Sequence, residues 1–170
     1  EAKWGLDWLL KMHPKDDWLF NQLGDDRDHM GMRIPKEDTF YGKGYERPVY
    51  FCTGKPQGVF KYKNRATGIA STAGKFSTAF NLGASMFKQV DKSYSDKLKS
   101  KAVSAYKLGL KSPGVCQTAP CRAPYFYEED NWSDDMELAS AFFSKEASKN
   151  YFENGIKYAT IEEITPWLGA

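Results

Sequence analysis

The sequence predicts a mainly α-helical protein, made of helical hairpins joined by long ordered loops. Three observations carry that expectation. Apolar residues recur at helical spacing in five separate segments. Four of those segments form two successive pairs across short polar turns, as antiparallel neighbours do. Between them lie stretches rich in glycine, proline and aromatic rings. They are too irregular for long regular elements and too aromatic for disorder.

The first helix is expected over residues 2–12. Trp4, Trp8 and Met12 recur every fourth residue with Leu9 and Leu10 beside them, which predicts one buried stripe, and Pro14 stops the helix. From His13 to Thr67 no period is sustained. Gly24, Gly31, Gly42, Gly44, Gly54 and Gly58 alternate with Pro35, Pro48 and Pro56. The rings of Phe40, Tyr41, Tyr45, Tyr50, Phe51, Phe60 and Tyr62 predict an ordered, ligand-facing region, with short strand pairing around residues 49–52.

A long helix follows over 68–89, its buried face formed by Ala73, Phe76, Ala79, Phe80, Leu82, Gly83 and Phe87. The next, over 95–110, starts from a Ser93 or Ser95 cap and ends before Ser112-Pro113-Gly114, completing a hairpin. After an aromatic, polar loop come helices over 133–146 and 149–158. Asn131 or Ser133 is the expected cap, and Asp134 and Asp135 suit the positive helix end. Residues 161–168 begin another short helix, interrupted by Pro166.

Composition bounds the function. Hydrophobic residues at 41% and charged residues at 27% are ordinary for a globular protein of 170 residues. Aromatics, at 15%, are abundant enough to fill a core and also to line a cleft. A net charge of +2 with dispersed basic residues gives no support to nucleic acid as a partner. No apolar run approaches the roughly 20 residues that span a membrane. The chain opens at Glu1 directly into a helical pattern with no signal peptide visible, so further sequence upstream is expected. Cys52 stands alone in sequence, whereas Cys116 and Cys121 flank a short loop. That pair is either a disulfide or two unpaired thiols, and with only His13 and His29 elsewhere it makes no zinc set.

The most informative stretch runs from Gly24-Asp25-Asp26-Arg27-Asp28-His29 to Met32-Arg33-Ile34-Pro35. With the opening Trp4-Gly5-Leu6-Asp7-Trp8-Leu9-Leu10-Lys11-Met12-His13-Pro14, it resembles the middle of the family 9 glycoside hydrolases. Those are endoglucanases built as an (α/α)6 toroid. Arg47-Pro48, Thr72-Ala73, Tyr127 and Met136-Glu137-Leu138-Ala139 continue the resemblance. Gly74-Lys75 departs from the family's Ala-Ala, Met136 replaces its Asp and Ser140 its Trp.

The resemblance implies helical hairpins of an incomplete (α/α)6 toroid, with residues 1–170 belonging to a partial catalytic domain that lacks N- and C-terminal portions. It implies inverting hydrolysis of β-1,4-glucan, a secreted or periplasmic location, and two partners: a β-glucan or cello-oligosaccharide, and the remainder of the same enzyme. His29 and Tyr127 match residues that line the family's sugar cleft, and Arg33 is placed to donate to sugar hydroxyls. The family often binds calcium where Asp134, Asp135 and Glu137 lie, a role for which carboxylates suit a hard cation. The other reading of those acids is simple stabilisation of a helix N-terminus. His29 and Tyr127 also have plain structural readings, a loop brace and a packed ring. His13 reads as structural, capping its helix in a cationic form or through a carbonyl bond.

The family's general base belongs to an Asp-Ala-Gly-Asp motif and its general acid to an Asn-Glu motif, and this sequence contains neither. Asp25, Asp26 and Asp28 are not promoted into those roles, so no catalytic residue is assigned. Two other functions remain to be weighed: a non-catalytic glucan-binding module, and a helical interaction protein. Binding of cello-oligosaccharides separates the first from the second.

Overall fold

The computed structural model describes residues 1–25, 32–34, 36–42, 46–57, 66–116, 129–145 and 149–162. In chain order the elements are α1 (Ala2–Met12), β1 (Phe20–Leu23), β2 (Val49–Phe51), α2 (Ala70–Phe87), α3 (Lys92–Lys111), α4 (Ser133–Ser144) and α5 (Lys149–Ile161). α2 and α3 form one hairpin and α4 and α5 another, with α4 laid along α2. The mainly helical, hairpin-based expectation holds.

Alanine, serine and glycine set how closely the helices approach. Ala73, Ala102, Ala105 and Ala139 are fully buried beside Phe80, Leu98 and Met136. Ser77 Oγ donates to the Ala102 carbonyl at 3.0 Å, and Ser95 Oγ donates to the Ala84 carbonyl at 2.6 Å. The hydroxyls thus satisfy themselves where a larger polar side chain would not fit. At Gly74 the α4 backbone comes so near that a Cβ would lie 2.6 Å from the Asp135 carbonyl oxygen. Buried Met136 fills the space left by Gly109. Across the second contact, Tyr106 donates to Ser140 Oγ at 2.6 Å, and Ser140 donates to the Met136 carbonyl at 2.6 Å.

Four expectations need correction. The Trp4–Trp8 stripe is not buried: Trp4 is 80% exposed, while Leu6 and Met12 face inward with Leu9 and Leu10 packed against the core. Rotation about the helix axis is set by α2, because Leu6 fills the space over Gly83. On α2, Leu82 is exposed, and the buried face runs through Ala73, Phe76, Phe80 and Ala84. α3 starts three residues earlier than its serines indicate, since Asp91 caps it by accepting the Tyr94 N–H at 3.0 Å. At the start of α4 neither expected residue caps as such. Asn131 Oδ1 instead accepts from the N–H and the hydroxyl of Ser133.

β1 and β2 pair antiparallel, with Phe20 opposite Phe51 and Leu23 opposite Val49. The loops at this end meet backbone to backbone. A Cβ on Gly68 would lie 2.0 Å from the Pro113 carbonyl oxygen, and Gly114 takes φ +127°. Only glycine allows that approach. The N-terminus of α2, the C-terminus of α3 and the strand pair are therefore locked into one layer. The helix expected over 161–168 lies, apart from its first two residues, outside the described residues, as does Cys121.

Candidate functional site

The strand pair fixes both ends of the connection that carries the Gly24–Pro35 motif. Gly24, at φ 80°, donates its N–H to the Pro48 carbonyl at 2.9 Å, which closes the connection at its neck. Immediately after it, the buried Asp25 carboxylate accepts from Tyr50 Oη at 2.8 Å and from Tyr41 Oη at 3.1 Å. One carboxylate thus ties the start of the motif to β2 and to the far side of the loop. Charge-assisted bonds of this kind are among the stronger polar contacts a loop can make.

A second carboxylate organises the rest. Asp38 accepts the Phe40 N–H at 2.9 Å and lies 2.5 Å from Arg47 and 3.2 Å from Arg33 Nε. The Phe40 N–H and the two guanidinium groups hold its carboxyl below the usual carboxylate range, against the effect of burial. Arg33 lies over the Phe40 ring at 4.7 Å, and Arg47 over Tyr41 at 5.2 Å. Arg33, the residue expected to meet sugar, therefore has its guanidinium plane set by Asp38 and Phe40. His29 and Tyr127, the other two expected sugar contacts, lie outside the described residues.

Beneath this loop, Trp18, Phe20 and Phe51 pack edge to face. His13 braces the turn leading into them. Its Nδ1–H donates to the Trp18 carbonyl at 2.6 Å, and Nε2 faces Ser104 Oγ at 2.7 Å. Burial holds the imidazole below its usual pKa, which favours the neutral ring, and the Ser104 hydroxyl also donates to the Lys101 carbonyl at 3.1 Å. His13 does cap α1, but through its backbone N–H, which donates to the Leu9 carbonyl at 2.9 Å; its side chain bonds the Trp18 carbonyl outside that helix.

Cys52 follows β2 and is joined by a disulfide to Cys116, which follows α3, with the Cα atoms 6.2 Å apart. That corrects the Cys116–Cys121 pairing that the spacing left open. Cys52 is alone in sequence yet lies beside Cys116 in space, because its N–H pairs with the Leu19 carbonyl and Asn21 reaches Cys116.

The acids at the start of α4 diverge. Asp134 is exposed, Asp135 faces α2, and Glu137 shares a hydrogen bond with Glu162 that raises the Glu162 carboxyl above its usual pKa. Asp135 meets the Lys75 ammonium at 2.7 Å, and Lys75 also pairs with Glu129. Burial pushes the Asp135 carboxyl up to about 6, more than Lys75 pulls it down. Burial also opposes the charge on Lys75, but its bonds to Asp135 and Glu129 outweigh that and raise its pKa. Both groups are charged at neutral pH. Among the described residues no three acidic, cysteine or histidine side chains converge on a common point. The residues expected to hold calcium thus do not fit that ion, since a lysine ammonium already neutralises the most buried of them.

Two residues that matter here escaped the sequence reading. Asp38 carries no motif, and its signal was only its position between two arginines. Lys75 was visible as a departure from the family pattern, but its partners were not.

The described residues thus form helical hairpins with a polar-aromatic loop layer across one end. The model of glycosyl hydrolase family 9 matches residues 1–166, and the chain belongs to that family. Endoglucanase 5 of Arabidopsis thaliana is 25% identical over 158 residues, covering 92% of this chain and 22% of that protein. Endoglucanase 18 of the same plant is 27% identical over 89% of this chain and 28% of its own length. Among solved structures, the endoglucanase of the termite Nasutitermes takasagoensis superposes with a TM-score of 0.70 at 22% identity, over 92% of this chain and 33% of that one. The cellulase Cel9M of C. cellulolyticum, solved in complex with cellobiose, gives 0.69 at 19% identity, over 96% and 34%. The helices are thus a sector of the (α/α)6 fold. The chain spans between about a fifth and a third of the length of these relatives.

Proposed function

We propose that this chain forms a sugar-contacting sector of an inverting β-1,4-glucan hydrolase of the endoglucanase type. The carrying observation is the loop layer, in which two buried carboxylates, Asp25 and Asp38, rigidify the connection that bears His29 and Arg33. A cleft that binds a polymer needs that stiffness, because ordering a loop on binding costs affinity. Residues 1–170 are read as part of one (α/α)6 catalytic domain, and the rest of that enzyme is the partner of its open edges. Inversion needs one carboxylate to activate water and another to protonate the leaving oxygen. Both would come from outside this chain, whose residues bind and orient. His29, Arg33 and Tyr127 are the proposed contacts to a β-glucan or cello-oligosaccharide, a ligand class supported by the cellobiose complex of Cel9M. A secreted or periplasmic location is supported by the Cys52–Cys116 disulfide. No helix among the described residues is long and apolar enough to cross a membrane.

Calorimetric titration of the full-length protein with cellotetraose tests the reading. Binding heat, weakened about tenfold or more by His29→Ala or Arg33→Ala, is expected. No heat with any cello-oligosaccharide overturns it. A second reading is a glucan-binding module without chemistry. Binding without release of reducing ends would select it.

A further inference from the structure

We propose that Lys75 is a built-in cation, holding Asp135 and Glu129 together where a bound metal ion would otherwise be required. It thereby pins one end of the segment that carries Tyr127. Gly74 and Lys75 on α2 and Met136 on α4 depart from the pattern the resemblance implies, and they come together in space around Asp135. Gly74 lets the α4 backbone lie against α2, placing Asp135 over the first turns of α2. Lys75, next in the chain, pairs its ammonium with Asp135 at 2.7 Å and with Glu129. Met136, where the family has an acid, is fully buried against Gly109 and offers no oxygen to a cation. The three changes support one another. The close approach brings Asp135 against α2, the lysine supplies its counter-charge, and Met136 fills core rather than offering an oxygen.

Position gives the pair its function. Glu129 follows directly on residues 117–128, the stretch containing Tyr127. At the other end of that stretch, the Cys116 N–H donates to Ser71 Oγ at 2.9 Å, and Cys116 is bonded to Cys52. Ser71 and Lys75 lie four residues apart, on one face of α2. The first two turns of α2 thus hold both ends of the segment, one through a hydroxyl and a disulfide, the other through an ammonium. Lys75 is a positioning residue. It acts on sugar only through the segment it anchors, and that consequence rests on the glucan reading above.

The test uses the full-length protein and calcium itself as the probe. Thermal midpoints of wild type, Lys75→Gln and Lys75→Arg would be compared in 2 mM calcium and in EDTA. The wild-type midpoint is expected to be the same in both. Lys75→Gln should melt a few degrees lower in EDTA and recover part of that loss in calcium, because Asp135 then loses its ammonium partner. Lys75→Arg should restore the midpoint without calcium. Cellotetraose affinity should fall in Lys75→Gln and return in Lys75→Arg. The proposal is overturned if Lys75→Gln melts as wild type does, or if EDTA lowers wild type and Lys75→Arg alike. Because midpoints need no sugar, absent cellotetraose heat in every variant would sink the glucan reading alone. Cellotetraose heat that is unchanged in Lys75→Gln would sink the positioning role.

Discussion

The helical scaffold and the loop layer are held together by opposite means. Where α2, α3 and α4 meet, the buried contacts are mostly apolar: Phe80, Leu98, Met136 and four alanines pack around a few serine and tyrosine hydroxyls, and the Lys75–Asp135 ion pair lies at the exposed edge. In the loop layer, the groups that fix the backbone are the buried carboxylates of Asp25 and Asp38, the neutral imidazole of His13 and a disulfide. Burial is non-directional, so it fixes where helices lie without aiming particular atoms. Carboxylates, imidazoles and disulfides are directional, and they fix side-chain angles. A cleft needs the second kind of order resting on the first. The difference also separates their responses. The scaffold should yield to loss of volume, and the loop layer to loss of charge, to reduction and to acid.

The largest effect should come from the scaffold. Phe80→Ala removes a fully buried ring, and a loss of about 3–5 kcal/mol is expected in urea unfolding. Both layers should then melt together; a loop layer that kept its own transition would break the dependence claimed here.

Next comes the disulfide. Replacing Cys52 and Cys116 by serine frees a loop of 64 residues, with an expected cost of about 2–4 kcal/mol. Limited proteolysis should then cut first around residues 53–69, while far-ultraviolet dichroism stays that of the helices. Equal stability of the oxidised protein and the double variant would remove the disulfide from the argument.

Asp25→Asn keeps the shape but weakens the acceptor for two tyrosine hydroxyls. The expected cost is about 1–3 kcal/mol, with cellotetraose binding reduced more than helical content. Unchanged binding would mean that the loop needs no such clamp.

The smallest effect is a pH dependence. Burial depresses the His13 pKa, so the fold favours the neutral ring. The stability this contributes is present above about pH 6.5 and is lost as pH falls through the lower folded value. Asp135, raised to about 6, works the other way. Its protonated form is favoured, so its contribution declines as pH rises through 6. The His13→Gln variant should therefore show a flatter loss of thermal midpoint from pH 7 to 5 than wild type. An unchanged slope would show that His13 does not set the acid limb.

The extent to which these layers could be read in advance follows the same division. α1 was legible to the residue, because Pro14 and the apolar spacing are local signals. Both hairpins were legible, since each helix carries its own period and the turns between are short. The orientation of Trp4 and Trp8 was not, because a helix with apolar residues on more than one face does not reveal which face its neighbour will cover. The irregular character of the described parts of the 24–48 connection was legible from its glycines and rings. Its clamps were not, since the hydrogen bonds from Tyr41 and Tyr50 to Asp25 span 16 and 25 residues.

By itself, the sequence determined the helix periods, the hairpin order, the family and the absence of the base and acid motifs. All of these are local patterns or matches along the chain. Only the tertiary structure decided that Cys52 would find Cys116, that Asp38 would gather Arg33 and Arg47, and that Lys75 would stand between Asp135 and Glu129. The physical reason is range. Periodicity is written every few residues, whereas a disulfide or charge pair forms between whichever groups the apolar core brings within a few ångströms.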